Sequence, residues 1–367
     1  MDKEQIQEKL LNWYQLNHRP LPFRESTDPY RIWISEVMLQ QTQVSTVIPY
    51  YNQFIEKFPT VLDLSRAEEE DVYKLWAGLG YYSRAKNLLK CAKEIVEVHG
   101  GEFPKDYKKA LKLPGIGPYT AGAVLSIAYN LKHPAVDGNV MRVISRIYNI
   151  KEDITLPKTK KIFEEKVQSI LPDDARHFNQ AIMELGALVC TPQKPKCEVC
   201  PVKDDCKANL LGIQDQLPVK TKKPKNKNTY MGVGILNKDQ KILLVKHNKG
   251  LLSGLWGLPA VEGSDQSHAK ENLLKAIEDE YGLKINKCEK RGEETHLFTH
   301  RTWKMDIYDM EVSLKAPEFY LQEASEIYER DILWQTKDKI KDYPISAAFQ
   351  KVLEKFGLTK RTRESKK

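Results

Sequence analysis

Three groups of residues carry chemistry by type and spacing. Cys190, Cys197, Cys200 and Cys206 fall in one short window as C-x6-C-x2-C-x5-C. Four thiolates this close can surround one metal centre. Zinc modules usually offer two close pairs and this window has a single C-x2-C, so the spacing suits an iron–sulfur cluster better than zinc without excluding zinc. The second group is a pair of carboxylates. Glu36, in RIWISEVMLQQTQV, has Ile32, Trp33, Leu39 and Gln40 at helical spacing. A carboxyl on so apolar a face is desolvated and its pKa rises toward that of a usable general acid; a structural buried Glu bonded to backbone is the plain alternative. Asp137, in HPAVDGNVMRVISR, precedes a helix that Asn139 could cap. It reads either as turn chemistry or as a fixed negative charge beside a developing cation. The third group is LPGIGPYTA, Leu113–Ala121, where Gly115 and Gly117 permit a tight hairpin and Pro118 opens a helix whose free N–H groups could hold a phosphate oxygen.

The chain that must position these groups has 367 residues and a net charge of +8, which suggests two or three domains. At 41% hydrophobic residues wholesale disorder is excluded, and no apolar run reaches the roughly 18 residues of a membrane span. The N-terminal MDKEQIQEKLLNWY lacks the apolar core of a secretory signal, so a cytoplasmic bacterial or a nuclear address is expected. With no signal, a disulfide framework is not expected, and Cys91 and Cys288 stand alone. The positive excess is local. Residues 217–228 carry net +5 and residues 359–367 net +4, which leaves two nearly neutral bodies, 1–216 and 229–358.

The first body, 1–216, reads as mostly helical. Asp28-Pro29 should start a helix running to about Ile48, and Ser65 with Glu68 should box a helix ending near Gly78. Further helices fit 83–99, 105–112, 118–130, 139–148, 159–171 and 177–190. After the Lys/Pro stretch the pattern becomes α+β. Strands are expected at 230–236, 242–247 and 296–310, and helices at about 268–281 and 345–356.

Taken together, SEVMLQQTQV, GLGYYSRA, LPGIGPYTAGA, VDGNV, FNQAIMELGALVC and the four cysteines make the chain resemble the endonuclease III-like helix-hairpin-helix DNA glycosylases, in particular their A/G-specific adenine glycosylase (MutY) branch, over about residues 5–355. The resemblance implies a multidomain chain: an all-α helix-hairpin-helix glycosylase domain with a [4Fe–4S] module held by the four cysteines, then an α+β Nudix-like domain. It implies a monofunctional adenine glycosylase of base excision repair, acting on adenine opposite 8-oxoguanine or G in double-stranded DNA, monomeric and away from membranes. Glu36 would protonate adenine N7, Asp137 would stabilise an oxocarbenium-like sugar, and Asn139 would orient Asp137. Tyr119 stands where lyase-active relatives carry a lysine, and a phenol forms no imine.

The adenine must leave the duplex to be reached. Arg19, Phe23, Arg24 and Gln180 are implied in its pocket, with Phe23 where the family often has Trp. Gln41 and Tyr81 are implied to enter the helix, beside the hairpin glycines Gly115 and Gly117. In the C-terminal body, residues 275–283 (KAIEDEYGL) keep the frame of a Nudix box, but Ala276 replaces a metal-ligand Glu and Lys275 an Arg. That argues for a binding module over a pyrophosphatase. Phe298, Thr299 and His300 match the lesion-reading loop, often Phe-Ser-His. The rival readings are a thymine or uracil mismatch glycosylase, a non-catalytic DNA binder with a structural cluster, and a nucleotide pyrophosphatase.

Overall fold

A computed structural model of the chain describes residues 2–221, 226–248, 250–314 and 332–359. A third of the basic stretch, residues 222–225, and nearly all of the basic tail therefore lie outside the described residues. The chain forms two compact units, Met1–Ala67 with Ser83–Lys222, and Glu68–Tyr82 with Lys223–Lys367. Among the described residues no helix is long and apolar enough to cross a membrane.

The first unit is helical. α1 (Lys3–Asn17) starts at Asp2, whose carboxylate accepts from the Glu4 N–H. α2 (Pro29–Leu39) starts at the expected Asp28-Pro29 cap, with Asp28 accepting from Tyr30 N–H at 2.9 Å. α2 is buried without interruption from Ile32 to Met38, as befits a central helix with no solvent face. Truncating the fully buried Trp33 to Ala would cost about 3–5 kcal/mol.

Two helix expectations need correction. The run from Asp28 does not reach Ile48. It breaks after Leu39, Gln41 takes φ +58°, and α3 (Val44–Lys57) begins afresh. Ser65 and Glu68 do not form a box either. The box is Thr60 with Asp63, opening α4 (Val61–Ser65), and Glu68 precedes α5 (Glu69–Trp76) without a side-chain cap.

α6 (Ser83–His99) has the expected bounds, and α7 (Tyr107–Ala110) is shorter than expected. α8 (Pro118–Tyr129) ends at Asn130 in the left-handed conformation that suits Asn as a C-cap. α9 (Gly138–Tyr148), α10 (Pro157–Ser169) and α11 (Ala175–Leu188) follow, and α12 (Lys207–Leu211) lies beyond the cysteine window. α1, α9, α10 and α11 share one core, which includes Leu10, Ile144, Phe163 and Phe178.

The second unit carries a seven-stranded mixed sheet. β1 (Lys227–Lys238), β2 (Lys241–Lys246), β3 (Trp256–Gly257), β4 (Ala260–Gly263), β5 (Leu283–Leu297), β6 (Arg301–Leu314) and β7 (Ile332–Thr336) run in the order β3-β2-β1-β6-β5, with β4 paired to β1 and β7 to β2. The β1–β6 pair is parallel; every other named pair is antiparallel. The strand expected over 296–310 is two strands, because residues 298–300 turn β5 into β6. α13 (Gln266–Asp279) packs on the sheet through Leu273 and Ile277, and α14 (Ala347–Lys355) closes the unit. Ala276 is buried on α13, so this position of the Nudix frame fills core and presents no ligand.

Candidate active site and iron–sulfur module

α2, the hairpin before α8, the N-terminus of α9 and the C-terminal half of α11 enclose a cavity of about 730 Å³ in the first unit. Glu36, Tyr119, Asp137 and Asn139 line it together, with Arg19, Phe23, Arg24 and Gln180 on its wall and Gln41, Gly115 and Gly117 at its hairpin side. Residues separated by up to 161 positions, Arg19 and Gln180, thus share one chamber.

Glu36 is buried midway along α2 and accepts a hydrogen bond from the Tyr119 hydroxyl. Desolvation pushes its carboxyl up to about 7; the Tyr119 hydrogen bond opposes the rise, the Asp137 charge adds to it and Arg24 opposes it. Tyr119 is itself held well above the ordinary phenol range by burial and by Glu36 and Asp137. A carboxyl poised near neutrality is fit to donate a proton.

Asp137 is the N-cap of α9. Its Oδ1 accepts from Val140 N–H at 2.7 Å and its Oδ2 from Asn139 Nδ2 at 2.9 Å. Asn139 is therefore not the cap; it fixes the cap's free oxygen. Burial raises the Asp137 pKa, while the Val140 amide and Asn139 favour its charged form. Gly186 on α11 makes room here, since a Cβ at that position would stand 2.8 Å from Asn139 Cβ. In the hairpin Gly115 takes φ +76°, and a Cβ there would stand 2.7 Å from Asn87 Cβ. Gly117 caps α8 with no side chain, and Pro118 occupies its first turn, leaving that turn's amides available to an anion.

Three residues absent from the sequence-derived set hold this site. Glu184 binds Arg19 through the backbone N–H at 3.0 Å and through Nε and Nη2, each at 2.8 Å, and binds Arg24 Nη2 at 2.7 Å. Burial pushes the Glu184 pKa up, but the Arg19 and Arg24 hydrogen bonds outweigh it and hold the carboxyl at about 2. Arg84 Nη1 donates to the carbonyls of Val37 and Met38, both at 2.9 Å, and of Gln40 at 2.6 Å, satisfying the C-terminal end of α2. Arg142 ties the site to the cysteine window. Its Nη2 donates to Asn139 Oδ1 at 2.9 Å and to Gly186 O at 2.8 Å, and its Nε to Cys190 O at 2.8 Å. The motif FNQAIMELGALVC did hold a signal for Glu184, which lies one helical turn beyond Gln180.

Among the pocket residues, Phe23 packs edge-on against Tyr51 with centroids 5.7 Å apart. Gln180 accepts from Tyr14 Oη at 3.2 Å and donates to Arg176 O at 3.2 Å.

Cys190, Cys197, Cys200 and Cys206 rim a second, smaller cavity. Among the described residues no group of three His, Cys, Asp or Glu is placed to hold a single metal ion. Burial pushes the Cys200 thiol up to about 12, and the other three cysteines add to the rise. Thiols that converge while buried suit a centre that converts them to thiolates. Arg146 Nη1 donates to Cys190 Sγ at 3.3 Å and to Thr191 O at 2.8 Å, so a buried cation already faces the window.

Residues 34–172 match the HhH-GPD superfamily base excision DNA repair proteins, and residues 190–206 the iron-sulfur binding domain of endonuclease III. The chain is 39% identical over 300 residues to the adenine DNA glycosylase of Buchnera aphidicola subsp. Baizongia pistaciae (strain Bp), covering 80% of this chain and 82% of that one. The chain belongs to the adenine DNA glycosylase family. The Homo sapiens adenine DNA glycosylase is 34% identical over 403 residues, covering 94% of this chain and 72% of its own length. A solved thermostable thymine-DNA glycosylase aligns with TM-score 0.53 and 29% identity over 57% of this chain and 97% of its own.

As a member of this family the protein is a DNA glycosylase of base excision repair that binds DNA and carries a [4Fe–4S] cluster at the cysteine window 190–206. Cys190, Cys197, Cys200 and Cys206 would hold the cluster as thiolates, and it would supply a cross-link of residues 190–206.

Residues 232–355 of the family member match the NUDIX domain. In this unit Phe298 N–H donates to Arg301 O at 2.9 Å and closes the β5–β6 turn. The Phe298 ring meets His296 and Trp303 edge-on, with centroids 4.5 and 4.9 Å away, while Thr299 and His300 are exposed. Tyr81 also belongs to this unit. It takes φ +49°, and its hydroxyl hydrogen-bonds Thr299 Oγ1.

Proposed function

We propose that the protein removes adenine mispaired with 8-oxoguanine or with G, as a monofunctional glycosylase acting on an adenine flipped out of duplex DNA. The observation that carries this reading is the pairing of Glu36 and Asp137 in one cavity. One is a buried carboxyl whose pKa of about 7 suits an acid, and the other is held by an amide and Asn139. Glu36 donates its proton to adenine N7, the base leaves neutral as the N-glycosidic bond breaks, and the Asp137 carboxylate faces the oxocarbenium-like sugar until water adds. Arg19, Phe23, Arg24 and Gln180 receive the base, the hairpin amides around Gly115 and Gly117 hold a phosphate, and Gln41 and Tyr81 fill the space the base leaves. Tyr119 hydrogen-bonds Glu36 and has no amine to attack the sugar, so strand cleavage does not follow.

On this reading residues 1–216 are the catalytic domain, 217–228 a basic linker, and 229–358 a Nudix-like domain that reads 8-oxoguanine through Phe298, Thr299 and His300. Residues 359–367 are a basic tail that adds salt-sensitive affinity for phosphates. The enzyme works as a monomer in the bacterial cytoplasm. Single-turnover assays test it with duplexes carrying A opposite 8-oxoguanine, A opposite G and T opposite G. Adenine release by the wild type, near-silence of Glu36→Gln and no thymine release are expected. Equal rates for wild type and Glu36→Gln would remove Glu36 from the mechanism, and absence of adenine release would overturn the assignment.

A further inference from the structure

Glu184 is the most heavily engaged carboxylate on the wall of the active-site cavity, yet it touches neither Glu36 nor Asp137 by hydrogen bond. It is 1% exposed, accepts three hydrogen bonds from Arg19 and one from Arg24, and Arg24 Nη1 in turn donates to Arg19 O at 3.2 Å. Charge-assisted, fork-shaped contacts of this kind fix both the place and the orientation of a guanidinium. Arg19 and Arg24 come from the segment before α2, whereas Glu184 sits on α11 in the packed core.

We propose that Glu184 is a positioning residue for the glycosylase reaction: it pins Arg19 and Arg24 to the wall of the cavity they share with Glu36 and offsets their charge there. The proposal rests on the reading of Glu36 as the proton donor. The charged and titratable groups that share the cavity with Glu36 are Tyr119 on α8, Asp137 before α9, Lys160 and Glu164 on α10, Glu184 on α11, and Arg19 and Arg24. Of the cations, Arg24 acts on Glu36 and favours its ionised form. With Glu184 in place the two guanidiniums share one anion. Without it, Arg24 faces the Glu36 carboxyl with its charge uncompensated, and the acid is lost as carboxylate before it can protonate a base. Removing Arg24 alone has the opposite consequence, because Glu184 then balances Arg19.

The test is the pH dependence of single-turnover adenine release between about pH 5.5 and 9, with Glu184→Gln, Glu184→Asp, Arg24→Gln and the double variant Glu184→Gln/Arg24→Gln. The wild-type rate should fall along an alkaline limb centred near the Glu36 value of about 7. Glu184→Gln should move that limb down by about one unit or more, so that its rate falls about sixfold further than the wild type's between pH 5.5 and pH 7.5. Arg24→Gln should move the limb up, the double variant should return it toward wild type, and Glu184→Asp should restore most of the limb's position. A loss of equal factor at every pH, or an unmoved limb, overturns the proposal. Iron content and far-ultraviolet circular dichroism report whether each variant is folded. Should Glu184→Gln fail to fold, Arg24→Gln decides, and absence of an upward shift rejects the idea. If the wild type has no alkaline limb and Glu36→Gln stays active, the acid assignment falls. If the limb exists and depends on Glu36 but ignores Glu184, this inference alone falls.

Discussion

Asn139 and Cys190 are joined through one side chain: Arg142 reaches the Asn139 amide oxygen at 2.9 Å with Nη2 and the Cys190 carbonyl at 2.8 Å with Nε. Asn139 in turn donates to Asp137 Oδ2 at 2.9 Å. A continuous hydrogen-bonded path therefore runs from the backbone of a cluster cysteine to the carboxylate expected to face the sugar. A lysine at position 142 has no fork and cannot keep these contacts. We expect Arg142→Lys to slow single-turnover adenine release at least about tenfold while DNA is still bound. Cleavage rate measured beside iron content checks this; an unchanged rate with an intact cluster would show that the path carries nothing.

The pKa of Glu36 also makes a stability prediction. In the folded chain its carboxyl titrates near 7, above its unfolded value of about 4.3. The neutral form is the one the fold favours, so its contribution is complete below the unfolded value, declines as the pH rises, and is gone above about 7. Glu36→Gln removes this penalty. The variant should be as stable as wild type near pH 4 and more stable by about 3 kcal/mol at pH 8, while losing activity. Urea denaturation at the two pH values measures the difference.

Arg84 supplies the end of α2 with donors that no backbone group provides. Arg84→Ala leaves the carbonyls of Val37, Met38 and Gln40 without them inside the fold, and should destabilise the first unit by about 2–4 kcal/mol. Because Gln40 directly precedes Gln41, the variant should also weaken binding to mismatch duplex. Denaturation midpoints and a binding titration on the same preparation separate the two losses.

In the second unit, Thr299 is exposed and bonded to the Tyr81 hydroxyl, with Phe298 wedged between His296 and Trp303 behind it. Thr299→Ala combined with His300→Ala should narrow the preference for 8-oxoguanine over G more than it slows cleavage opposite G. Tyr81→Phe, which removes only the hydroxyl, should narrow it in the same direction by a smaller factor. Equal losses on both substrates would mean that the loop does not read the lesion.

Much of this arrangement was legible in the sequence, for reasons that are local. Asp28-Pro29 marked the start of α2 because cap and first turn are adjacent in the chain, and the apolar neighbours of Glu36 marked its burial because they recur at helical spacing. The break at Gln41 was not legible, since a left-handed Gln leaves no trace in a hydrophobic pattern. Thr60–Asp63 and Ser65–Glu68 offer the same box spacing, and only the fold chooses between them. The division of 296–310 was hidden because the turn Phe298–His300 contains no Gly, Pro, Asn or Asp to mark it. Glu184 escaped notice because its partners Arg19 and Arg24 lie 165 and 160 residues away. Pairings of that span are set by tertiary structure and have no local signature.

Arg146 bears on how the chain must be made. Its buried guanidinium is satisfied by Cys190 Sγ and by the carbonyls of Thr191, Pro192, Gln214 and Leu217. All five acceptors are synthesised after α9, the last of them 71 residues later. While the ribosome is still within that interval, α9 holds a cation whose native partners do not yet exist, and burying it alone would cost several kcal/mol. The native burial of Arg146 therefore requires residues 190–217 to have been made, and that same stretch carries the four cysteines of the iron–sulfur module.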